Sequence, residues 1–377
     1  MGRSEKSSSS STITCSAPPP SPYWRGRRSS RSYNWNEFES RAANTLCTPS
    51  WPRRCGGPER SGPGAATEDE RTVQGQRDVE AAVKACYSTW SERYYNEYYG
   101  DAAGYPPVHR ELLRGFLRGT GAQTVLDAGC GPASFLRDMT EEGWDLYGFD
   151  LTPEMVVEAR RILGEKGIPA NHIWEGSVLD TAAFQPPDAD LPRRFDAAVC
   201  IGVLPHIPAG TDGAVIENLR SAVAPGGWVA VEARNELFAL FTLNRYSHAF
   251  FLDRLIQPER LRAVAGEELA GLEAGLESLQ ERFRMDLPPV RKGYAGEPGY
   301  DEVLSRTHNP FELRAQFEAA GLQEVKTLFY HYHCLPPMLQ GQAPRLFRQA
   351  SLALEGDPED WRGYFMASAF LVVGRAA

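Results

Sequence analysis

The sequence predicts an α/β fold, in which a doubly wound, seven-stranded and mostly parallel sheet carries helices on both faces. This prediction rests first on two apolar runs. The first, Thr124–Ala128, leads into a turn with two glycines and then into a helical pattern. The second, residues 144–150, follows the glycines by about 20 residues and ends in an acid, as the second strand of a βαβ unit does. Five further strand patterns follow, at residues 172–175, 195–201, 228–231, 325–334 and 365–373.

The turn after the first strand has the composition of a ligand-binding loop. Gly129 and Gly131 can adopt positive φ without penalty, and neither has a Cβ that would block a ligand lying against the backbone. Asp150, at the end of the second strand, stands where the ribose of a nucleoside would present its two hydroxyls. Its carboxylate could accept from both. The alternative is that Asp150 only caps the helix that begins near Pro153.

Four motifs in this order resemble the class I S-adenosylmethionine-dependent methyltransferases. They are Asp-Ala-Gly-Cys-Gly at residues 127–131, then Asp150, then residues 195–201, which are similar to the family's fourth strand. The fourth motif, residues 219–231 with a Pro-Gly-Gly turn, is similar to the family's helix, turn and fifth strand. One position departs from the pattern, because Ala133 stands where many members have a third glycine.

The resemblance implies the Rossmann-like methyltransferase fold, in which strands six and seven neighbour strand five and strand seven is antiparallel. It also implies S-adenosylmethionine as the cofactor, and no metal. In the family the turn after the third strand borders the adenine, usually with an acid where this chain has Ser177, so a weaker hydroxyl contact would replace it. The implied cofactor-binding residues are Asp127, Gly129, Cys130, Gly131, Asp150, Leu151, Ser177, Val178 and Ile201.

Three histidines are candidates for a general base, which an oxygen or carbon acceptor would need in order to lose its proton. His206 follows the fourth strand, and His331 and His333 lie in the sixth. An unperturbed histidine has a pKa of about 6.5, so such a base would make the rate rise across roughly pH 6 to 7.5.

The ends of strands five and six suggest how an acceptor could be oriented. Arg234 and Asn235 end strand five, beside the predicted acceptor site. In strand six, the period of two places His331 and His333 on one face and Tyr330, Tyr332 and Cys334 on the other.

The predicted function is methyl transfer from S-adenosylmethionine to a small-molecule acceptor, with oxygen or carbon favoured as the accepting atom. Nucleic acid is not the expected substrate, because the part after residue 66 carries thirty Lys and Arg against forty-five Asp and Glu. Two alternatives stay open. One is a non-catalytic, cofactor-binding partner subunit, and the other is a different transferase on the same fold, such as an aminopropyl transferase. The sequence does not identify the acceptor.

Residues 1–70 are predicted to be a disordered basic tail, rich in Ser, Pro and Arg, that precedes a methyltransferase domain over residues 71–377. The tail could be an organelle transit peptide, an interaction tail or the product of a wrong start. The expected compartment is the cytoplasm, with organelle targeting as the alternative. No run of 18 uncharged apolar residues occurs, so no membrane span is expected.

An insertion is predicted between strand five and the last helix of the core, over residues 235–308. It contains an apolar seam with helical spacing, which predicts one helix over residues 259–283. We expect this insertion to form a lid over the acceptor side. The alternative is a helix that forms a homodimer. The seam consists of Leu269, Leu272, Leu276, Leu279 and Phe283.

Overall fold

The computed structural model describes residues 68–88, 108–287 and 303–377. The predicted tail therefore lies outside the described residues as far as residue 67, and the first helix begins at Glu68. Within the described ranges, no helix is long and apolar enough to cross a membrane.

The structure contains a single seven-stranded sheet. Its strands are β1 (Thr124–Ala128), β2 (Asp145–Asp150), β3 (Ile173–Glu175), β4 (Phe195–Cys200), β5 (Val223–Arg234), β6 (Leu322–Tyr332) and β7 (Ala367–Ala376). The order across the sheet is β3-β2-β1-β4-β5-β7-β6. β7 is antiparallel to β5 and β6, and the other neighbouring pairs are parallel. This confirms the predicted fold class and the antiparallel direction of strand seven. The prediction that both of the last two strands neighbour strand five is wrong for strand six, because β7 lies between β5 and β6.

Helices cover both faces of this sheet. They are α1 (Glu68–Tyr87), α2 (Val108–Thr120), α3 (Ser134–Met139), α4 (Pro153–Gly164), α5 (Asp212–Ala222), α6 (Ala239–Thr242), α7 (Arg245–Phe250), α8 (Pro258–Arg262), α9 (Leu269–Ser278), α10 (Pro310–Ala319), α11 (Pro344–Leu354) and α12 (Gly363–Met366). A π-helix spans Phe251–Ile256. Short 3-10 helices span Thr140–Glu142, Ala170–His172, Thr181–Phe184, Leu204–His206, Glu236–Phe238, Gly266–Glu268, Leu279–Arg282 and Pro337–Gln342.

The core has two layers, one on each face of the sheet. Alternate residues of the central strands contribute to each layer, because successive side chains of a strand point to opposite faces. On one face, Leu113 and Leu117 of α2 pack with α3 and α4. On the other, α5 packs with Leu313 and Phe317 of α10. Burial on both faces explains why the central strands are continuous apolar runs.

The loop after β1 keeps the geometry of a three-glycine turn although its third position is alanine. Gly129 and Gly131 have φ of 85° and 52°, and Ala133 has φ 57° and ψ 35°. Only glycine adopts this left-handed region without steric cost, and an L-residue costs about 1 kcal/mol there. Ala133 is fully buried at the start of α3, where packing sustains that conformation.

The predicted single helix over residues 259–283 is wrong. The structure divides this stretch into α8, a 3-10 turn at Gly266–Glu268, α9 and a second 3-10 turn at Leu279–Arg282. Gly266 has φ 53°, which an α-helix cannot accommodate. The apolar seam begins at Leu269, after this interruption, so its spacing supported a helix only from that residue onward.

The predicted alternation along strand six is also wrong near its end. Tyr330 packs in the layer that contains α2, whereas Tyr332 packs in the opposite layer. His331, between them, has φ 56°, and this left-handed residue interrupts the period of two. His331 and Tyr330 therefore lie next to each other, with ring centroids 4.8 Å apart.

The sequence suggested that Asn235 could orient an acceptor, but in the structure Asn235 has a structural role. It is buried, and its side-chain amide donates to the carbonyl oxygens of Gly363, Tyr364 and Ala367 at 3.2, 2.9 and 2.8 Å. Its Oδ1 accepts from the Leu237 N–H at 3.0 Å. Asn235 thus joins the end of β5 to the start of β7.

We expect Asn235→Ala to lower the free energy of unfolding by about 2–4 kcal/mol, because it leaves several buried backbone groups without a partner. Urea denaturation measures this loss as a lower midpoint with an unchanged slope. Asn171→Ala is the matched control, because Asn171 is exposed and bonds only Asp188 among the described residues. Equal midpoints for the two variants would contradict the structural role of Asn235.

Candidate active site

A cleft lies beyond the carboxyl ends of β1, β2, β3 and β4, with α1 along one side. Its volume is about 780 Å³ when the open mouth is included. The residues that line it are Glu80, Val83, Tyr87, Gly129, Gly131, Pro132, Asp150, Leu151, Thr152, Met155, Gly176, Ser177, Val178, Leu179, Ile201, Gly202, Val203, His206, Ile207 and Pro208.

The glycine loop forms the floor of the cleft. The N–H groups of Gly129 and Cys130 both donate to the carbonyl oxygen of Phe149, at 2.8 and 2.9 Å, which holds the loop against β2. A Cβ added to Gly129 would lie 2.4 Å from Cγ2 of Val203, so no side chain fits there. A Cβ on Gly131 would meet nothing within 4 Å, so a ligand can approach the backbone closely at this residue.

Asp150 connects the glycine loop to the end of β2. Its Oδ2 accepts from the Gly131 N–H at 2.8 Å, and its Oδ1 accepts from the Thr152 N–H at 2.8 Å. Burial raises the pKa of this carboxyl, and the two backbone bonds oppose that rise. The Thr152 side chain also bonds this carboxyl. A carboxylate has about four acceptor positions, so one remains for a hydroxyl of a ligand that enters the cleft.

Two of the residues that the sequence assigns to the cofactor lie beneath the cleft rather than along it. Cys130 is buried against Gly148, and burial raises the pKa of its thiol well above the usual value, which makes it unreactive. Asp127 is also buried, and its Oδ1 has no hydrogen-bond partner among the described residues. Burial and the nearby charge of Asp150 raise the pKa of Asp127 to about 8. The other seven assigned residues line the cleft.

No residue of the α1 wall was among the site residues predicted from the sequence. Glu80, Val83 and Tyr87 follow helical spacing and line the cleft from one face of α1. The Ser177 hydroxyl donates to Oε1 of Glu80 at 2.6 Å, and Lys84 pairs with Glu175 at 3.9 Å. The helical spacing of these three residues is visible in the sequence. The neighbouring residues do not indicate that this face of the helix borders a cleft.

His206 lies at the end of the cleft next to β4, and both of its ring nitrogens are engaged. Nδ1 lies 2.6 Å from the carbonyl oxygen of Leu304, and Nε2 lies 3.1 Å from the hydroxyl of Tyr87. A carbonyl oxygen only accepts, so Nδ1 carries the proton and Nε2 offers a lone pair to the hydroxyl. Burial and the charge of Arg234 lower the pKa of His206 to about 3, so the ring is neutral.

The segment 303–308 returns to the sheet from the insertion and holds the loop that carries His206. The Nε of Arg306 donates to the carbonyl oxygen of Ile207 at 2.8 Å. Its guanidinium also forms a largely buried ion pair with Asp212 at the start of α5. The position of His206 therefore depends on the far end of the insertion.

The structure does not bring His331 or His333 to the cleft. His331 lies beside His109 of α2, with ring centroids 6.4 Å apart. His333 lies between Phe238 and Phe347, at 4.8 and 5.6 Å. Burial lowers the pKa of His331 to about 3 and that of His333 to about 4. Both rings are neutral parts of the protein interior.

A buried carboxylate that the sequence did not suggest lies behind the loop that follows β4. Glu232 of β5 accepts from the hydroxyl of Tyr330 and from the backbone of Gly202, and Gly202 lines the cleft. Burial raises the pKa of Glu232, opposed by these bonds and by the charge of Arg234. Within the described ranges, no group of three His, Cys, Asp or Glu side chains could hold a metal ion.

Comparisons with known proteins agree with the fold and with the position of the cleft. A family model described as a methyltransferase domain matches residues 126–229, from β1 into β5. A ubiquinone biosynthesis O-methyltransferase of Nitrosospira multiformis is 30% identical over 183 residues, which cover 45% of this chain and 69% of that protein.

Two further relatives match shorter parts. A ubiquinone biosynthesis O-methyltransferase of Xanthomonas euvesicatoria is 36% identical over 146 residues, covering 39% of this chain and 53% of that protein. The glycine N-methyltransferase of Rattus norvegicus is 28% identical over 159 residues, covering 40% of this chain and 53% of that protein. The chain thus spans about half the length of these two relatives.

We expect Asp127→Asn to change how stability depends on pH in the cofactor-free protein. The folded pKa of Asp127 is about 8, and the unfolded value is about 3.9, so between these values the folded chain holds a proton that the unfolded chain has lost. The wild-type free energy of unfolding therefore falls as the pH rises through this window, by up to about 1.4 kcal/mol per pH unit.

Urea denaturation at pH 5 and pH 7.5 tests this expectation. Asp127→Asn lacks the titrating group, so its stability relative to the wild type should increase by roughly 3 kcal/mol between the two pH values. Asp145→Asn, exposed at the start of β2, is the control and should keep a constant difference. A constant difference for Asp127→Asn as well would show that Asp127 is ionised in the folded protein.

Proposed function

Because the chain belongs to the class I S-adenosylmethionine-dependent methyltransferases, we propose that it transfers the methyl group of that cofactor to a small-molecule acceptor. The observation that carries this proposal is the Asp150 carboxylate, which lines the cleft with one acceptor position left beside an open glycine loop. The cofactor of the family is S-adenosylmethionine. It supplies an electrophilic methyl group on a sulfonium, so the protein must position the acceptor and exclude water.

The cleft fits this cofactor along its length. Asp150 would accept from a ribose hydroxyl, and the open space at Gly131 would admit the amino-acid part against the backbone. The turn at Ser177 and Val178 would border the base. Beneath the loop lies the Asp127 carboxyl, whose Oδ1 has no hydrogen-bond partner among the described residues. This group could interact electrostatically with a cationic ligand. Ile201 begins the loop after β4, where the acceptor would approach.

We propose a hydroxyl as the acceptor group, with an acidic carbon as the alternative. Two relatives are named as ubiquinone biosynthesis O-methyltransferases, which supports oxygen. A third relative is named as a glycine N-methyltransferase, so the test must also be able to detect an amine acceptor. Aminopropyl transfer has no support among these relatives. A non-catalytic binding role would appear as cofactor binding without turnover.

We propose His206 as the general base, because it is the one of the three candidate histidines that lines the cleft. Its Nδ1 proton is directed at Leu304, so its Nε2 lone pair points toward Tyr87, which also lines the cleft. An acceptor hydroxyl could replace the Tyr87 hydroxyl at Nε2 or donate to it. Glu232 is the alternative base, since it accepts from the backbone of Gly202, which lines the cleft, and burial raises its pKa.

The insertion over residues 235–308 is proposed to cover the acceptor side. The support is the segment 303–308, which bonds both the His206 ring and the loop that carries it. A cytoplasmic location is proposed because the seven cysteines are odd in number and scattered, with Cys130 in the glycine loop and Cys200 in a buried strand, which suits a reducing compartment.

The first test of this function is cofactor binding by Asp150→Ala. Loss of a hydrogen bond to a charged acceptor should weaken the affinity for S-adenosylhomocysteine, the demethylated product, by about 10- to 100-fold. Isothermal titration calorimetry measures this affinity. Asp145→Ala is the control, because Asp145 is an exposed carboxylate at the other end of the same strand. Unchanged affinity in Asp150→Ala would remove the basis of the methyltransferase assignment.

The second test concerns the base and its pH dependence. With its pKa near 3, His206 is neutral at every pH above about 4, so it should cause no rise in rate between pH 5 and 8. An unperturbed histidine would produce such a rise. Turnover is measured with methyl-labelled cofactor and fractionated small molecules from the source cell.

In the same assay, His206→Gln should lower turnover by about 100-fold with little change in cofactor affinity. The control is His172→Gln, because His172 also bonds a backbone carbonyl through Nδ1 but lies outside the cleft. Glu232→Gln is measured in parallel. A large loss of turnover in Glu232→Gln alone would identify Glu232 as the residue that removes the proton of the acceptor. Full turnover in both variants would indicate an amine or an already ionised acceptor.

A further inference from the structure

Glu80 is the only carboxylate that α1 places in the cleft, among the residues that the structure describes. Its Oε1 accepts the Ser177 hydroxyl at 2.6 Å, and Oγ of Ser177 in turn accepts the Leu179 N–H at 3.1 Å. This chain of bonds directs the hydroxyl proton toward Glu80. One oxygen of Glu80 is thus held at the turn after β3, and the carboxylate has further acceptor positions.

We propose that Glu80 recognises the exocyclic amine of the cofactor's adenine. The inference rests on the proposed function, since it requires S-adenosylmethionine or its product to occupy the cleft. It assigns a binding role to a helix that lies before the first strand of the sheet.

The order of the strands determines which end of the cleft receives the base. Asp150 ends β2, and β2 lies between β1 and β3 in the sheet. The two groups attached to a ribose held at Asp150 would therefore extend in opposite directions. One direction leads to the glycine loop of β1 and to His206 after β4, where the methyl must meet its acceptor. The base must take the other direction, toward Ser177 after β3.

The chemistry of this end of the cleft suits an adenine. Val83, Met155, Val178 and Leu179 line the cleft and would offer apolar surface to a flat ring. Glu80 adds a group that only accepts hydrogen bonds when it is ionised. An amine on the edge of the ring would satisfy it, whereas a carbonyl oxygen at the same position would face a negative charge.

This arrangement also makes the cofactor a link between α1 and the sheet. Among described residues, α1 contacts the loops after β3 and β4 through the Glu80–Ser177 and Tyr87–His206 bonds, and it pairs with β3 through Lys84 and Glu175. A ligand amine bound to Glu80 would add another contact at the same place. Cofactor binding should therefore hold α1 across the cleft and limit the access of water.

The test compares two ligands by isothermal titration calorimetry. One is S-adenosylhomocysteine, and the other is its 6-oxo analogue, in which a carbonyl oxygen replaces the exocyclic amine. The wild type should prefer the amine by about 10- to 100-fold. In Glu80→Gln the preference should shrink to about twofold, because an amide can accept from the amine or donate to the carbonyl. In Glu80→Ala it should also shrink to about twofold, with both ligands bound weakly.

Glu154→Gln is the matched control, because it removes an exposed carboxylate beside Met155 that does not line the cleft. It should keep the wild-type preference. If Glu80→Ala keeps that preference as well, the inference is overturned, whatever the change in absolute affinity, since Glu80 would then act only through packing. A wild type that binds both ligands equally would overturn it too. A wild type that binds neither ligand would instead overturn the proposed function.

Discussion

The hydrogen bonds of Asp150 are the constraint on which the cleft depends. One carboxylate holds the backbone of Gly131 in the glycine loop and the backbone of Thr152 before α4. Burial raises the pKa of this carboxyl, and the hydrogen bonds from the two segments that it joins oppose that rise. The same side chain therefore determines the shape of the cleft and supplies the carboxyl group that would contact a ribose. Any change at Asp150 would alter both.

The far side of the cleft depends on a second, longer-range constraint. The loop after β4 carries His206, and it is held by Arg306, which lies beyond the insertion. Because the ion pair of Arg306 with Asp212 is largely buried, removing one partner would leave an uncompensated charge and cost about 3–5 kcal/mol. The insertion is thus more than an addition to the sheet. Its return segment determines where the histidine points and which of its nitrogens carries the proton.

Burial shifts the pKa values of the ionisable groups around the cleft in two directions, upward for the carboxyls and downward for the histidines. Desolvation disfavours the charged form, so it raises the pKa of Asp127 and Glu232 and lowers that of His206. The histidines of β6 follow the same rule, and their low pKa values reflect an apolar interior rather than a catalytic environment. A perturbed pKa identifies a functional residue here only when the side chain also reaches the cleft.

The sequence by itself determined the sheet, the glycine loop and the acid at the end of β2, because these features are encoded by residues that are close together in the chain. Tertiary structure alone decided the walls of the cleft. The Glu80–Ser177, Tyr87–His206 and His206–Leu304 contacts join residues 97, 119 and 98 positions apart. Local periodicity reports which side of an element is buried, but the partner that covers that side depends on how distant elements pack. For the same reason the left-handed residue His331 was not foreseen, since surrounding packing, rather than the residue's own preference, sustains such a conformation. The break at Gly266 differs, because glycine adopts positive φ by its own preference, and here the apolar spacing outweighed that local signal.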